Sequence, residues 1–313
     1  MNILSIISPL IVIALLGYTC TKTRWLSREN LNALSKFTFS ISIPAFLFYQ
    51  MAKADFSEQV SPQLFAAFYL PVLTCYLIAW LINYYFYKGK PSNNSAGSAV
   101  FSLGASYSNT IIVGLPVLLA AMGEQVIGII FLIITFHSAM LFALTSAIAA
   151  RASSIGGTNK FNWFKFTKQT LNNPLIISIL SGLVVNLLGI TLPEFLQDSL
   201  ALISKPAITL ALFILGASLA FYQVRQEITF ISIACFCKLI LLPALVLITS
   251  QYIFKLDPFI VTVLVVLSAC PTGVNAYLIA ATHQQHQQTV AGTVVMSTLV
   301  SIVTIPLWLS FII

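Results

Sequence analysis

The sequence predicts an all-α polytopic membrane protein, with ten transmembrane helices in a 5+5 inverted repeat and two broken helices, the fourth and the ninth. Three observations predict it. Of 313 residues, 58% are hydrophobic and only 7% are charged, a balance foreign to a water-soluble domain of this length. Whole tracts hold no Asp, Glu, Lys or Arg: Pro91 to Gly123, Gln125 to Ala150, Gln169 to Pro193, Pro206 to Val224, and everything from Pro258 onward. Each is long enough for the ~20 residues that one helical crossing takes. Finally, two apolar stretches, GASYSNTIIVGLPVLLAA from Gly104 and VLVVLSACPTGVNAYLIAA from Val263, carry helix breakers in their middles, one in each half of the chain.

Cutting the apolar runs at polar, Gly, Pro and charged punctuation places the first five helices at about 3–20, 31–51, 63–87, 98–121 and 125–150. The second five fall at about 172–190, 200–221, 228–253, 258–281 and 289–312. The first helix has no basic region before it and no small-residue cleavage site after it, so it reads as a retained helix and not a signal peptide. The longest interruption, RASSIGGTNKFNWFKFTK from Arg151 to Lys168, is polar and basic. It divides the chain into a first repeat over 1–150, a cytoplasmic linker over 151–171 and a second repeat over 172–313. An odd number of helices per half inverts the second half in the membrane, the arrangement of inverted-repeat transporters. The stretches LNALSKFTFSISIPAFLF and LALISKPAITLALFIL support the repeat, with Ser35-Lys36 and Ser204-Lys205 in matching places.

Cations set the orientation, because Lys and Arg collect in cytoplasmic loops. Lys22, Arg24 and Arg28, then Lys88 and Lys90, then Arg151, Lys160, Lys165 and Lys168, then Arg225 occupy alternate loops, and the loops between them are poor in cations or balanced by acids. Both termini are therefore expected outside, with the protein in a bacterial inner membrane. The net charge of +7 is this asymmetry; scattered over short loops, it forms no nucleic-acid-binding patch. The five cysteines lie within or at the ends of helices and predict neither disulfides nor a metal site.

A helix that breaks inside the membrane exposes backbone N–H and C=O groups, and the N-terminus of each half-helix is partly positive, so an anion can bind there. In the fourth helix, Pro116 lacks an N–H, Gly114 allows bending, and Asn109 and Thr110 can cap the freed turn. In the ninth, Pro271, Thr272, Gly273 and Asn275 form the counterpart. Asn109 and Asn275 are the candidates for direct hydrogen bonds to a carboxylate. The bland alternative, a Pro-kinked packing helix whose Asn satisfies freed backbone, explains one such helix better than two.

All eight acidic residues fall in loops or at helix ends, which leaves no carboxylate at mid-membrane. A Na+ site would have to use freed carbonyls with Ser, Thr or Asn oxygens, and H+ coupling would fall to His137 in the fifth helix; the alternative for His137 is a neutral interhelical hydrogen bond. Lys238, near the centre of the eighth helix, is the other intramembrane ionisable group. It either offsets the charge of an anionic substrate in a cavity or snorkels. Lys36 and Lys205 lie about a turn inside their helices, where snorkelling suffices. His283 and His286 in THQQHQQT read as a polar turn, since no Cys, Asp or Glu accompanies them as a metal ligand.

The stretches SNTIIVGLPVLLAAMGEQ and CPTGVNAYLIAA resemble the motifs of the auxin efflux carrier family, in its bacterial form without a long central loop, and the resemblance spans the whole chain. It implies a ten-helix, 5+5 fold related to the bile acid/sodium symporters, with two crossing broken helices. Its implied substrates are organic anions such as malate, malonate or an auxin-like carboxylate, and a homodimer is implied by likeness alone. The functional expectation is a secondary carrier of a small mono- or dicarboxylate that works by alternating access. No P-loop points to direct use of ATP. Two other classes stay open: an intramembrane enzyme using His137 or Lys238, which lacks HExxH, GxSxG and a carboxylate pair, and a sensor that keeps the carrier fold for binding.

Overall fold

The computed structural model describes residues 3–53, 61–87, 94–154, 174–221 and 227–312. Among them every regular element is helical, and the only β pairing is an isolated bridge between Ser108 and Thr272. We number the helices α1 (Ile3–Lys22), α2 (Arg28–Lys53), α3 (Pro62–Phe86), α4 (Ser95–Ser106), α5 (Thr110–Met122), α6 (Ile127–Ser154), α7 (Pro174–Leu187), α8 (Glu194–Leu219), α9 (Ile228–Ile253), α10 (Pro258–Ala269), α11 (Asn275–His283) and α12 (Gln287–Ile312). Among the described residues, six helical segments are long and apolar enough to cross a membrane: α2, α3, Glu124–Ala149 leading through α6, α8, α9 and α12. Shorter apolar stretches lie in α1, α5, α7 and α10. Large apolar side chains such as Leu15, Leu16, Leu77, Phe86, Leu307 and Phe311 remain exposed, as expected where lipid replaces water.

The helices sort into two compact units, each drawing on both halves of the chain. One contains α1, α2, the Leu115–Met122 part of α5, the start of α6, α7 and α8. Here α1 packs on the second part of α8 at backbone distance. A Cβ on Gly17 would lie 2.0 Å from the Phe213 carbonyl oxygen, and one on Gly216 only 1.7 Å from that of Ala14. Small residues at such a contact let two helices approach closely in lipid, where dispersion replaces the hydrophobic effect as the driving force. Ser42 Oγ donates to the Ile203 carbonyl at 2.8 Å within the same unit.

The other unit contains α3, α4, the Thr110–Gly114 turn, α6 from Phe136 onward, and α9 to α12. Buried hydroxyls tie its helices together: Tyr76 Oη donates to the Ala99 carbonyl and pairs with Thr145 Oγ1, both at 3.0 Å, and Thr249 Oγ1 reaches the Ala67 carbonyl at 2.8 Å. At one end of this unit, Glu227 accepts from the hydroxyls of Tyr87 and Thr289.

Three expectations need adjustment. The predicted spans 258–281 and 98–121, each expected as one interrupted helix, are separate helices, α10 with α11 and α4 with α5, and the second pair parts at Tyr107 to Asn109, ahead of Gly114 and Pro116. The seventh span starts at Glu194 and not near 200, and Lys205 sits at a turn before Pro206 in its interior; like Lys36, it is exposed. The linker placed over 151–171 lies outside the described residues from 155 on, and α6 continues through Ser154.

Candidate functional site

The site forms where two helices stop. α10 ends at Cys270, whose φ of −59° and ψ of 149° are the extended conformation imposed by the following Pro271. α4 ends at Tyr107, with φ −78° and ψ 115°. The two extended segments lie antiparallel. Asn109 N donates to the Pro271 carbonyl at 2.8 Å, and Gly273 N donates to the Tyr107 carbonyl at 3.0 Å. Gly273 is needed here for space, since its φ is not in the left-handed region. A Cβ at this position would fall 2.4 Å from Tyr107 Cε1 and 3.4 Å from the Ser108 carbonyl oxygen.

Broken helices free polar backbone that nothing in hydrocarbon can satisfy, so each group needs a partner from the protein. The Gly104 carbonyl accepts from Thr272 Oγ1 at 2.7 Å, and Thr272 N donates to Ser297 Oγ at 3.0 Å. Ser108 N donates to His137 Nε2 at 3.0 Å. Asn109 closes the first turn of α5 twice over: its carbonyl accepts from Val113 N and Gly114 N at 3.2 and 3.1 Å, and its Oδ1 accepts from Ile112 N at 3.3 Å. The Ser268 carbonyl, in the last turn of α10, accepts from Lys238 Nζ at 2.5 Å.

Three polar atoms at this crossing are left over. Ser108 Oγ, Asn109 Nδ2 and His137 Nδ1 are buried without hydrogen-bond partners, on residues only 1%, 5% and 1% exposed. Because His137 Nε2 accepts the Ser108 amide, the ring proton of the neutral imidazole belongs on Nδ1. That leaves two donor groups and one hydroxyl beside the N-terminus of α5. Asn275, at the N-terminus of α11, is exposed, and its side chain interacts with the Tyr107 hydroxyl. Such an arrangement presents hydrogen-bond donors and two partly positive helix ends.

Comparison with known proteins identifies the family. A sequence profile described as membrane transport protein matches residues 3–309. The chain belongs to this family. It is similar to a putative malonate transporter of Rhizobium meliloti (strain 1021), 22% identical over 304 residues that cover 97% of this chain and 94% of that one. It is also similar to the uncharacterized transporter YfdV of Escherichia coli (strain K12), 25% identical over 305 residues, covering 96% and 95%. The auxin efflux carrier component 8 of Arabidopsis thaliana is 23% identical over 352 residues, covering 97% and 95%. This is a transport family and not a family of enzymes, and its member described here is a multi-pass membrane protein.

The residues singled out in this transporter's sequence fall as follows. Asn109, Thr110, Pro271, Thr272, Gly273 and Asn275 meet at the crossing. Gly114 lies one turn into α5, where a Cβ would stand 2.9 Å from Leu267 Cδ2 and 3.1 Å from Cys270 Sγ; its role is close packing on α10 more than bending. Pro116 is buried in the regular part of α5 and does not make the break, which comes earlier, over Tyr107 to Asn109. His137 lies at the crossing as a backbone acceptor, its ring stacked on that of Tyr107 at 5.1 Å and 11°. Lys238 is fully buried and bound to the end of α10, which rules out snorkelling.

Sequence reasoning missed Tyr107, Ser108 and Ser297. Ser108 stands next to Asn109 in a motif already marked, so it was within reach; Ser297, one of seven Ser and Thr residues along α12, carries no such mark. His286 is buried, not a solvated turn residue: it packs on Tyr87 with ring centroids 4.5 Å apart, and its Nδ1 lies 3.2 Å from Thr289 Oγ1. Among the described residues no group of three His, Cys, Asp or Glu is placed to hold a metal. A separate cavity of about 480 Å3, lined by Leu73, Tyr76, Leu77, Trp80, Leu144 and Arg151 among others, shares no residue with the crossing.

Proposed function

We propose that this protein is a secondary carrier of a small organic anion, a mono- or dicarboxylate such as malonate or malate. The carboxylate would be held at the crossing of α4–α5 and α10–α11. The observation that carries this reading is the set of unpartnered buried atoms, Ser108 Oγ, Asn109 Nδ2 and His137 Nδ1, gathered where two half-helices begin. A carboxylate supplies four lone-pair directions, which suits the Asn109 amide, the imidazole N–H and the serine hydroxyl, together with the first amides of α5 and α11. Asn275 completes the set from the second half-helix, Thr110 stands at the start of α5, and Thr272 holds the Gly104 backbone beside it. Lys238 adds positive charge at the base of the crossing. The relative described as a putative malonate transporter supports the choice of substrate class.

In this reading the chain forms ten transmembrane helices in a 5+5 inverted repeat, with both termini outside, and the bundle carrying the crossing exposes the anion alternately to each side of the membrane. The coupling ion is H+ or Na+. His137 is the candidate for H+, because protonation at Nε2 would turn an acceptor into a donor and release the Ser108 amide.

The test is uptake of radiolabelled malonate and malate into proteoliposomes, with Na+ and pH gradients varied independently. Saturable, competable uptake is the expected result. Specific binding of these anions without flux would replace the carrier reading with that of a sensor, and neither binding nor flux for any carboxylate would remove the substrate class.

A further inference from the structure

The geometry points to the Lys238 ammonium as a built-in cation that does at this crossing what a coupling Na+ does in cation-driven carriers with broken helices, so that anion transport here needs no Na+. This role falls to the C-terminal poles of the half-helices, whereas the anion of the proposed function sits at their N-terminal poles.

A half-helix that stops inside the membrane leaves about half an elementary charge of each sign at its two ends, and neither is screened by water. Anions suit the N-terminal ends. The C-terminal ends, with their freed carbonyls, attract cations, and in transporters with discontinuous helices those carbonyls coordinate Na+ or H+. Here the carbonyls at the end of α4 face neutral donors: that of Gly104 takes the Thr272 hydroxyl at 2.7 Å, and that of Ala105, at 3.7 Å, shares the Cys75 thiol with the Cys237 carbonyl at 3.5 Å. At the end of α10 the donor is charged. The Ser268 carbonyl accepts from Lys238 Nζ, and the lysine is 0% exposed.

Lys238 reaches that position from a π-helical turn of α9, Cys237–Leu241, which packs against α3, α4, α10 and α12. Among the described residues its titratable neighbours are Cys75, Cys270 and His137, none of them a carboxylate. The chain's eight acidic residues lie elsewhere in the sequence, the nearest in α9 being Glu227 at its start. A buried charge without an ionic partner is costly and persists only where fixed dipoles compensate it. The compensating dipole is the C-terminal end of α10. Being covalently attached, this cation returns with the empty carrier and is never delivered, so no Na+ gradient is spent on the anion.

The experiment compares wild type, Lys238→Met and Lys238→Gln in Na+ and in choline media. Gln keeps a donor without the charge and covers the case in which the Met protein does not fold. The first readout is malonate uptake, which rests on the carboxylate-carrier reading; the second is the unfolding temperature in detergent, which does not. Wild type should give equal flux and equal unfolding temperature in the two media. The neutral variants should lose at least about tenfold in flux in choline, the usual order for removing a preorganised charge. They should recover part of it in Na+ or methylammonium, and should be stabilised by Na+ where wild type is not. Dependence of wild-type flux on Na+ overturns the proposal, as does full activity of the variants in choline. So does a variant whose flux and unfolding temperature no cation improves. If wild type carries no carboxylate, the proposed function fails, and the unfolding temperatures alone decide the role of Lys238.

Discussion

Replacing Gly273 with Ala should loosen the crossing by forcing one methyl group into it. The new Cβ would stand 2.4 and 2.7 Å from Tyr107 Cε1 and Cδ1, so ring and backbone must separate by about 1 Å to reach ordinary contact. The ring cannot swing away freely. Its hydroxyl lies 2.8 Å from Ser138 Oγ, one face stacks on His137 at 5.1 Å, and Phe142 lies 5.0 Å away. Overpacking of this kind costs about 1–3 kcal/mol, and losing the ring stack adds about 0.5–1.5, roughly 2–4 kcal/mol in all. At roughly 2–4 °C per kcal/mol, the unfolding temperature in detergent should fall by about 5–15 °C, with malonate flux falling alongside. Adding Tyr107→Ala to the same protein makes room, so the double variant should cost less than the sum of the two singles. An unfolding temperature within about 1 °C of wild type together with normal flux would refute the close-approach account of Gly273.

Other substitutions probe separate parts of the site. Asn109→Ala keeps the backbone bonds of the α5 turn but removes both the unpartnered Nδ2 and the Oδ1 that caps Ile112 N, so malonate KM should rise about tenfold or more and thermal unfolding should report a loss of about 0.5–2 kcal/mol; unchanged transport would take Asn109 out of the site. Thr272→Val deprives the buried Gly104 carbonyl of its 2.7 Å donor, and thermal unfolding should report a loss of about 1–2 kcal/mol. His137→Gln can still accept the Ser108 amide through its side-chain oxygen, whereas His137→Leu cannot. If the imidazole is only a backbone acceptor, Gln retains both stability and pH-gradient-driven uptake; if it carries the coupling proton, Gln keeps the fold and loses the response to the pH gradient.

The legible part of the fold was whatever hydropathy and punctuation record locally. The helix over 228–253 matches α9 at both ends, because a long apolar run and its polar borders are properties of a short window. Pro271 marked a real break for a similar reason, since the helical region is disfavoured for the residue before a proline, and Cys270 is extended. Pro116 shows the limit of that rule. Its missing N–H is absorbed after the π-helical turn Thr110–Gly114, and the chain breaks instead at Tyr107 to Asn109, where extended pairing with the other segment replaces helical bonds. His286 was misjudged because a polar neighbourhood in sequence says nothing about the rings of Tyr87 and Phe101 packed over it.

By itself the sequence determined that this chain lives in a membrane, roughly where its helices run, and that two of them are interrupted by residues with polar side chains. These follow from transfer free energies and backbone chemistry that act residue by residue. Only the tertiary structure decided which freed group meets which: the Ser108 amide with His137, the Gly104 carbonyl with Thr272, the Ser268 carbonyl with Lys238. Those pairings join residues 29, 168 and 30 positions apart. They depend on how helix ends are brought to face one another, a geometry set by packing such as that of Gly273 on Tyr107 and recorded in no local pattern.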